Sequence, residues 1–404
     1  MRYNGTMTKK DIYQRSLEAH QDARGKLSIQ SLMSVKNRDE LSIAYTPGVA
    51  EPCRVIAQDK ARSFDLTWRG RTVAVVSDGT AVLGLGNIGP EAALPVMEGK
   101  AVLLKEFGGV DAVPLVINAK NPDEIVDFVR AIAPSFAGIN LEDIAAPACF
   151  LIEDALQDIG IPVFHDDQHG TAIVVAAALR NAAKVVGKEY ADLKVVVVGA
   201  GAAGLAVTQM LLGVTRSAGA FTPVEGVPRV ADVIVADSKG IISRARNDLN
   251  DYKKMMVEVT NSAGREGDVM TAIQGADVVI GVSGPGSITA EMVRSMAHGA
   301  IVMAMANPTP EIMPDEAKAA GAAVVATGRS DFPNQVNNVL AFPGIFQAVI
   351  KGRLTSITPQ MKAAAVEALA ELVPDPTAEH ILPDPFEGKI AESIATAVLA
   401  AAKK

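Results

Sequence analysis

The residues with the most specific chemistry in this sequence are two pairs of adjacent acids. Glu142 and Asp143 stand together in GINLEDIAAP, and Asp166 and Asp167 stand together in VFHDDQHGTA. One acidic pair usually lies on a solvated surface. Two pairs in apolar, Gly- and Ala-rich surroundings are less easily explained in this way, because burying unpaired carboxylates costs free energy. Ligands that are all oxygen suit Mg²⁺ or Mn²⁺. The sequence therefore predicts a divalent-metal site where the two pairs converge, in a cleft between domains.

Two histidines offer a competing metal site. His165 and His169 are four residues apart, as in a helical zinc motif. The residues between them lack the HExxH identity, and no third soft ligand is evident. Zinc stays open as the less favoured alternative.

A glycine-rich turn predicts binding of a dinucleotide. Residues 199–204 read GAGAAG, directly after the apolar run LKVVVV and directly before LAVTQMLL. In such a turn the first glycine permits the tight bend, the second admits the pyrophosphate, and the third lets helix and strand pack closely. The phosphates then meet the helix N-terminus. The predicted cofactor contacts are Gly199, Gly201, Ala202, Ala203 and Gly204.

The choice between NAD and NADP stays open at the end of the next predicted strand. Asp237 could accept hydrogen bonds from the adenosine ribose, and its carboxylate would repel a 2′-phosphate, which argues for NAD. Ser238 and Lys239 follow at once and offer a hydroxyl and a cation that would tolerate the phosphate. Asp237 comes later than the usual spacing of about 20 residues. We attribute the delay to a long loop over Gly213–Arg229.

A second glycine-rich stretch, Gly281–Gly286 (GVSGPG), also follows an apolar run. It is either a plain turn or part of the edge of the sheet where such folds bind ligands. In the second case Ser283 would contact the cofactor.

The elements that position these residues are predicted from short apolar runs, typical of buried strands, that alternate with segments typical of helices. Before residue 165 we predict strands at Thr72–Ser77, Ala101–Phe107 and Ala112–Asn118. A long helix at Thr171–Val186 is followed by predicted strands at Leu193–Val198, Val230–Ala236, Asp277–Val282, Ala300–Ala306 and Ala323–Thr327. A final helix, about Lys389–Ala401, places Ile390, Ile394, Val398 and Leu399 on one stripe. The predicted fold is α/β, with a smaller N-terminal α/β domain over residues 1–165 and a C-terminal doubly wound parallel sheet of Rossmann type over residues 166–404.

The composition excludes several classes of protein. The chain has 404 residues, of which 49% are hydrophobic and 21% charged, so it can bury a real core and is neither a small disulfide scaffold nor disordered. Its 38 Lys and Arg against 46 Asp and Glu give a net charge of −8, the wrong sign for a nucleic-acid partner. Cys53 and Cys149 lie far apart, and no apolar stretch has the form of a signal or the length of a bilayer span. We expect a cytoplasmic protein with no membrane partner.

Eight segments in the same order resemble the malic enzymes, specifically the short bacterial form, over about Leu27 to Ala395. The segments are Ala44–Glu51 (AYTPGVAE), Ser77–Gly89 (SDGTAVLGLGNIG), Glu98–Lys100 (EGK), Asn140–Asp143 (NLED), Phe164–Ala172 (FHDDQHGTA), Gly199–Gly204, Ala306–Thr309 (ANPT) and Asn334–Gly344 (NQVNNVLAFPG). The resemblance implies oxidative decarboxylation of L-malate to pyruvate and CO₂, reduction of NAD or NADP, and a requirement for Mg²⁺ or Mn²⁺.

The resemblance also implies roles for single residues. Lys100 matches the general base, Tyr45 the general acid, and Asp166 a supporting acid in the catalytic network. Because the reference pKa of lysine is about 10.4, Lys100 must be partly buried or near another cation to act as a base at neutral pH. The implied metal ligands are Glu142, Asp143 and Asp167, and the implied substrate contacts are Asn307, which is also expected at the cofactor, and Asn338.

One position departs from the longer eukaryotic-type forms, in which an arginine that grips malate follows the TDG-like motif. Ala81 stands there in this sequence. The metal and the asparagine amides, or else Arg38 or Arg54, would have to neutralise the substrate carboxylates. The resemblance further implies a homodimer or higher homo-oligomer, in which the N-terminal segment can lend its tyrosine to a neighbouring site.

Two other functions stay open on the sequence. One is a NAD-dependent dehydrogenase of another hydroxy or amino acid that does not decarboxylate its substrate. The other is a nucleotide-sensing module that binds NAD without turnover.

Overall fold

Two sheets built mainly from parallel strands follow one another along the chain. The computed structural model describes residues 9–217 and 219–403. The strands are β1 (Thr72–Ser77), β2 (Asp111–Val116), β3 (Gly138–Leu141), β4 (Val163–His165), β5 (Lys194–Val198), β6 (Val214–Ser217), β7 (Ala220–Pro223), β8 (Asp232–Asp237), β9 (Gly240–Ile241), β10 (Val278–Gly281), β11 (Ile301–Ala304) and β12 (Val324–Thr327).

Helices cover both sheets. They are α1 (Lys9–Ala23), α2 (Arg38–Ala44), α3 (Ala50–Gln58), α4 (Ser63–Leu66), α5 (Pro90–Gly108), α6 (Pro122–Ile132), α7 (Ala148–Ala155), α8 (Asp166–Val186), α9 (Ala202–Leu212), α10 (Asp251–Val257), α11 (Val269–Ile273), α12 (Ala290–Arg294), α13 (Pro314–Ala319), α14 (Phe342–Gly352), α15 (Pro359–Glu371) and α16 (Ile390–Ala401). No helix among the described residues combines the length and the apolar character needed to cross a membrane.

The first sheet has the strand order β2-β1-β3-β4, and its neighbouring strands are all parallel. Every residue of β1 (TVAVVS) is buried, as expected for a strand covered on both faces. Leu141 at the end of β3 lies opposite His165 at the end of β4. The residues that follow these two strands therefore emerge side by side at one edge of the sheet.

The second sheet has the order β12-β11-β10-β5-β8-β9, parallel except for the antiparallel pairing of β8 with β9. The chain moves outward from β5 in one direction to β8 and in the other through β10 to β12. This is a doubly wound sheet with its switch point between β5 and β10, which is where such folds bind ligands. The predicted α/β fold class is confirmed.

Two element predictions are wrong. Residues 101–107 form the last turns of helix α5 and not a strand, because Met97, Ala101, Leu104 and Gly108 are buried at helical spacing. The strands that complete the first sheet are the short β3 and β4 instead. The segment Gly213–Arg229 is not a plain loop, because it contains the antiparallel hairpin of β6 and β7, with Arg216 opposite Phe221.

The C-terminal helices pack on one another and on helices α5 and α8. Helix α16 buries Ile390, Ile394 and Val398 and packs against α14 and α15. The sequence alone did not predict which surface this helix contacts. A Cβ at Gly344 of α14 would stand 2.7 Å from the Ile394 side chain, so the two helices approach closely at a glycine. Helix α14 also packs on α5, beside the first sheet. The domain boundary at residues 165 and 166 stays a prediction, although β4 ends and α8 begins there.

Candidate active site

Three carboxylates meet at the edge of the first sheet. Oxygen atoms of Glu142, Asp143 and Asp167 all lie within 4.8 Å of one another. Glu142 and Asp143 follow β3, and Asp167 lies in the first turn of α8, directly after β4. The backbone N–H of Asp143, which has a φ of +53°, donates a hydrogen bond of 2.8 Å to Oδ2 of Asp167. The structure thus brings the three predicted metal ligands together.

The donor set fits a small dication. Oxygens bound to one such ion lie up to about 4–5 Å apart, which matches the observed spacing. Glu142 is 1% exposed, and Nδ2 of Asn140 donates a hydrogen bond of 2.9 Å to its Oε2. Burial raises the pKa of the Glu142 carboxyl well above its usual value, against the opposing charge of Lys100. A buried acidic cluster of this kind gains stability from a bound cation.

Lys100 reaches this cluster from helix α5. Its Nζ lies 2.5 Å from Oδ2 of Asp166 and 3.0 Å from Oε1 of Glu142, and it also lies over the ring of Phe342, 4.7 Å from the centroid. Burial lowers the pKa of the Lys100 amine, but the carboxylates of Asp166 and Glu142 outweigh burial and raise that pKa above its usual value. Without a further cation the amine is therefore held in its charged form.

Asp166 is positioned by a glycine on the same helix. It is fully buried, and a Cβ at Gly170 would stand 1.8 Å from its Oδ1. Burial raises the pKa of the Asp166 carboxyl, while Lys100 opposes the shift. The same Cβ would stand 3.2 Å from the Cβ of Asn338, so the predicted substrate-binding amide belongs to a residue that borders the acidic cluster.

The histidines do not form the alternative zinc site among the described residues. Nε2 of His169 pairs at 2.6 Å with Oε1 of Glu153, on α7. His165 is fully buried, and its Nδ1 stays 3.8 Å from Oδ2 of Asp167. The one group of candidate ligands found among the described residues contains only carboxylates.

The predicted dinucleotide turn has the geometry that its glycines require. Gly199 has a φ of +124°, and a Cβ there would stand 2.4 Å from the carbonyl oxygen of Val282. A Cβ at Gly204 would stand 1.8 Å from the carbonyl oxygen of Gly199, whereas nothing lies within 4 Å of a Cβ at Gly201. The turn therefore packs closely at its first and third glycines and is open at the second, where a pyrophosphate would approach.

Asp237 forms ion pairs with two basic side chains of the protein. Arg246 bonds both of its oxygens, at 2.7 and 3.2 Å, and Lys253 bonds Oδ2 at 2.7 Å. Burial raises the pKa of the Asp237 carboxyl, but these hydrogen bonds outweigh burial and lower that pKa to about 2. Ser238 and Lys239 are exposed beside it. The negative charge that would reject a 2′-phosphate is therefore largely neutralised within the protein.

A buried acid, Glu311, connects the loop GVSGPG to the loop ANPT by hydrogen bonds. Glu311 is 1% exposed and accepts hydrogen bonds from the backbone N–H of Ser283 at 2.7 Å and of Ala306 at 3.0 Å. It therefore fixes GVSGPG relative to ANPT. The carbonyl oxygen of Asn307 would stand 2.3 Å from a Cβ at Gly84, so the ANPT loop also contacts the loop that follows β1.

Three other predicted residues have no described polar contact with the cluster. Tyr45 is 67% exposed at the end of α2, and Arg38 is exposed on the same helix. Arg54 on α3 pairs with Glu51 at 2.8 Å. Among the described hydrogen bonds and ion pairs, none joins these three residues to the acidic cluster. Ala81 donates its backbone N–H to the carbonyl of Asp143 at 3.0 Å, so that position supports the metal-side loop through its main chain.

Comparisons with known proteins agree with this geometry. The family model described as "Malic enzyme, N-terminal domain" matches residues 24–157, and "Malic enzyme, NAD binding domain" matches residues 168–403. The chain belongs to the malic enzyme family. The resemblance inferred from the eight sequence segments is thereby confirmed.

Relatives of this member of the malic enzyme family match it nearly end to end. It is 52% identical to the "Bifunctional malic/malolactic enzyme" of Bacillus subtilis, over 97% of this chain and 93% of the relative. It is 50% identical to the "NAD-dependent malic enzyme" of Geobacillus stearothermophilus, over 94% of this chain and 77% of the relative. The crystal structure of the NAD-dependent malic enzyme of Thermotoga maritima superposes with a TM-score of 0.88 at 45% identity, over 95% of this chain and 98% of the other.

Sequence reasoning missed three residues that shape the cofactor side of the cleft. Arg246 and Lys253 follow Asp237 by 9 and 16 residues. They lie in a polar stretch of the sequence, where basic residues are ordinarily exposed to solvent. Glu311 lies in TPEIM, and no spacing separates it from an exposed acid. The only available signal was the apolar surroundings of Glu311, which make an unpartnered carboxylate expensive.

Proposed function

We propose that this protein catalyses the divalent-metal-dependent oxidative decarboxylation of L-malate to pyruvate and CO₂, with NAD⁺ or NADP⁺ as the hydride acceptor. The observation that carries the proposal is the contact of the Lys100 amine with Glu142 and Asp166, beside three carboxylates that fit one cation. Relatives named as malic enzymes over nearly the whole chain support the same reaction.

In this mechanism Lys100 accepts the proton of the C2 hydroxyl of malate, and a nicotinamide cofactor held at the glycine-rich turn would take up the hydride from C2. A cation held by Glu142, Asp143 and Asp167 would supply Lewis acidity that polarises the C2 oxygen and favours departure of the β-carboxylate as CO₂. Tyr45 then protonates C3 of the enolate to give pyruvate. Because free carboxylates raise the pKa of Lys100, it acts as a base only when positive charge on those carboxylates opposes them.

The other residues bind and orient. Asp166 holds the Lys100 amine by its 2.5 Å contact and so directs it at the substrate. Asn338 and Asn307 contact the substrate carboxylate. Gly199, Gly201 and Gly204 admit the pyrophosphate, and Asp237 with its neighbours Ser238 and Lys239 receives the adenosine ribose.

We further propose that the active site is completed in a homodimer by Tyr45 of a second copy. Large apolar side chains are exposed along the segment that carries Tyr45, and such clusters mark interaction surfaces. They are Leu27, Ile29, Leu32, Met33, Val35, Leu41 and Ile43. The 67% exposure of Tyr45 itself supports a role outside its own chain.

Product analysis tests the reaction. The purified protein is incubated with L-malate, Mn²⁺ or Mg²⁺, and either NAD⁺ or NADP⁺, and CO₂, reduced cofactor and keto acid are quantified. We expect the three products in a 1:1:1 ratio, as the balanced reaction requires. Reduced cofactor without CO₂ would indicate a dehydrogenase that does not decarboxylate, lactate without net reduction of cofactor would indicate malolactic chemistry, and binding of NAD without any product would indicate a sensor.

A further inference from the structure

A cavity outside the acidic cluster is lined by Gln168 and His169, in the first turn of α8. Its volume is about 200 Å³, it is open to one side, and it is lined by residues of α7, α8, α9 and β6, the segment after β7, and the start of α15. None of the proposed metal ligands lines it. Since one water needs roughly 10–15 Å³ on such a measure, a ligand of several heavy atoms fits.

Most charged groups that line this cavity already have partners. Glu153 accepts a hydrogen bond from Nε2 of Gln168 at 3.1 Å and pairs with His169. Asp154 pairs with Arg216, whose guanidinium also lies over the rings of Phe150 and Tyr252. These groups build a polar wall whose side chains bond to one another.

Lys362 is the exception among the described lining residues. It is partly buried in the wall of the cavity, one turn into α15, and no described hydrogen bond or ion pair engages its amine. Burial lowers the pKa of this amine to about 8, even though Glu153 opposes the shift. An ammonium group near a helix N-terminus is also unfavourably placed relative to the helix dipole. A bound anion would relieve both effects.

We propose that this cavity binds a small oxyanion, either a carboxylate or a phosphate, through the amine of Lys362. The N-terminal end of α15 favours the same sign of charge. The ligand would contact α7, which connects β3 to β4 of the first sheet, and α9, which follows β5 of the second, so it would bridge the two halves of the chain. It would also lie against Gln168 and His169, which directly follow Asp167 in sequence.

Calorimetric titration tests the proposal on the full chain. Wild type, Lys362→Met and Lys351→Met are each titrated with sodium phosphate and, separately, with sodium succinate, at an ionic strength fixed with sodium chloride. Lys351 is the matched control, because it is an exposed lysine on the neighbouring α14 that hydrogen-bonds Gln347 at 2.9 Å. Any binding at the catalytic site is common to all three proteins and cancels in the comparison.

We expect Lys362→Met to lose at least about tenfold in affinity for phosphate, for succinate or for both, while Lys351→Met binds as the wild type does. The anion whose affinity falls identifies the source of the oxyanion. Lys362→Gln is the second variant should Lys362→Met fail to fold, and the same loss is expected for it. Equal affinities in all proteins, equal losses in both lysine variants, or no binding to wild type would overturn the proposal.

Discussion

Lys100 is the residue on which the proposed chemistry depends most. Its amine contacts two buried carboxylates, so its position is fixed before substrate arrives. General bases contribute on the order of 100- to 10,000-fold to rate. We expect Lys100→Met to lower kcat for malate by about that factor, because no described group replaces the amine at that place.

A neighbouring lysine provides the control for that measurement. Lys105 lies on the same helix, is exposed, and pairs with Asp111 at 2.7 Å. Lys105→Met should retain kcat within about twofold of wild type, since surface ion pairs contribute little. Steady-state rates are read beside thermal unfolding, which reports whether each variant is folded. A folded Lys100→Met variant with near-normal kcat would remove the proposed role of this residue.

We propose that Arg246 influences which nicotinamide cofactor the site accepts. It donates two hydrogen bonds to Asp237 and so offsets the carboxylate that would repel a 2′-phosphate. Repulsion between a carboxylate and a phosphate charge about 4 Å apart is on the order of 1–4 kcal/mol near a protein surface, or roughly tenfold or more in binding. We expect Arg246→Ala to raise KM for NADP⁺ by about tenfold and to change KM for NAD⁺ much less.

Arg244 is the matched control, because it is exposed and pairs with Glu258 at 2.8 Å, away from Asp237. Initial rates with both cofactors for the two variants complete the comparison. If Arg246→Ala and Arg244→Ala change the two KM values alike, Arg246 does not set the choice of cofactor.

At the scale of elements, two glycines of one turn should respond in opposite ways to the same change. Gly204→Ala places a Cβ 1.8 Å from the carbonyl oxygen of Gly199, so the turn must shift, at a cost of about 1–3 kcal/mol in the free energy of unfolding. Gly201 has a φ of −88° and open space around its Cβ position, so Gly201→Ala should fold normally. Its added methyl instead obstructs the pyrophosphate.

Thermal unfolding and NADH fluorescence titration separate the two effects. Gly204→Ala is expected to unfold at lower temperature, and Gly201→Ala is expected to keep its unfolding temperature and bind NADH more weakly. Normal NADH affinity in Gly201→Ala would contradict binding of the cofactor at this turn.

The elements around the cleft were predictable where burial leaves a continuous apolar run. β1, β5 and β12 are such runs, and the predicted bounds of each strand agree with the observed bounds to within one residue. The run at residues 101–107 was misread because a short apolar segment has no periodicity that separates a strand from a buried turn of helix. The hairpin of β6 and β7 was missed since Gly and Pro around it are also typical of loops.

The same contrast holds for the candidate site. The two acidic pairs could be found because each follows a short apolar run, whereas only the family resemblance separated Asp167 from Asp166 as a proposed ligand. Glu311 and Arg246 could not be found, because their roles depend on loops that meet only in three dimensions. Tyr45 was identifiable only through the family resemblance. Because its side chain is exposed in the single chain, the proposed contact of Tyr45 with an active site depends on a second subunit.

At the scale of the whole molecule, the proposed dimer predicts complementation between inactive variants. A mixture of Tyr45→Phe and Lys100→Met chains, exchanged under conditions that allow the subunits to reassort, should recover activity. In a mixed dimer one site combines an intact Lys100 with an intact Tyr45 from the other chain. Random pairing through a twofold interface restores about a quarter of the sites.

Each variant alone should stay inactive at the same total concentration, which excludes residual activity as the source. Sedimentation of the mixture confirms that the chains associate. Association without recovered activity would mean that Tyr45 serves its own chain or has no role in the reaction.

The proposed reaction requires one divalent cation held by Glu142, Asp143 and Asp167 beside Lys100. Mn²⁺ binding, measured by the loss of the free-ion electron paramagnetic resonance signal without substrate, tests this most directly. We predict about one tight site per wild-type chain and at least about a hundredfold weaker binding in Asp167→Asn. Asp158→Asn, which changes an exposed acid paired with Arg130, should bind as the wild type does. An Asp167→Asn protein that folds, binds NADH and holds Mn²⁺ with the affinity of wild type would contradict the account.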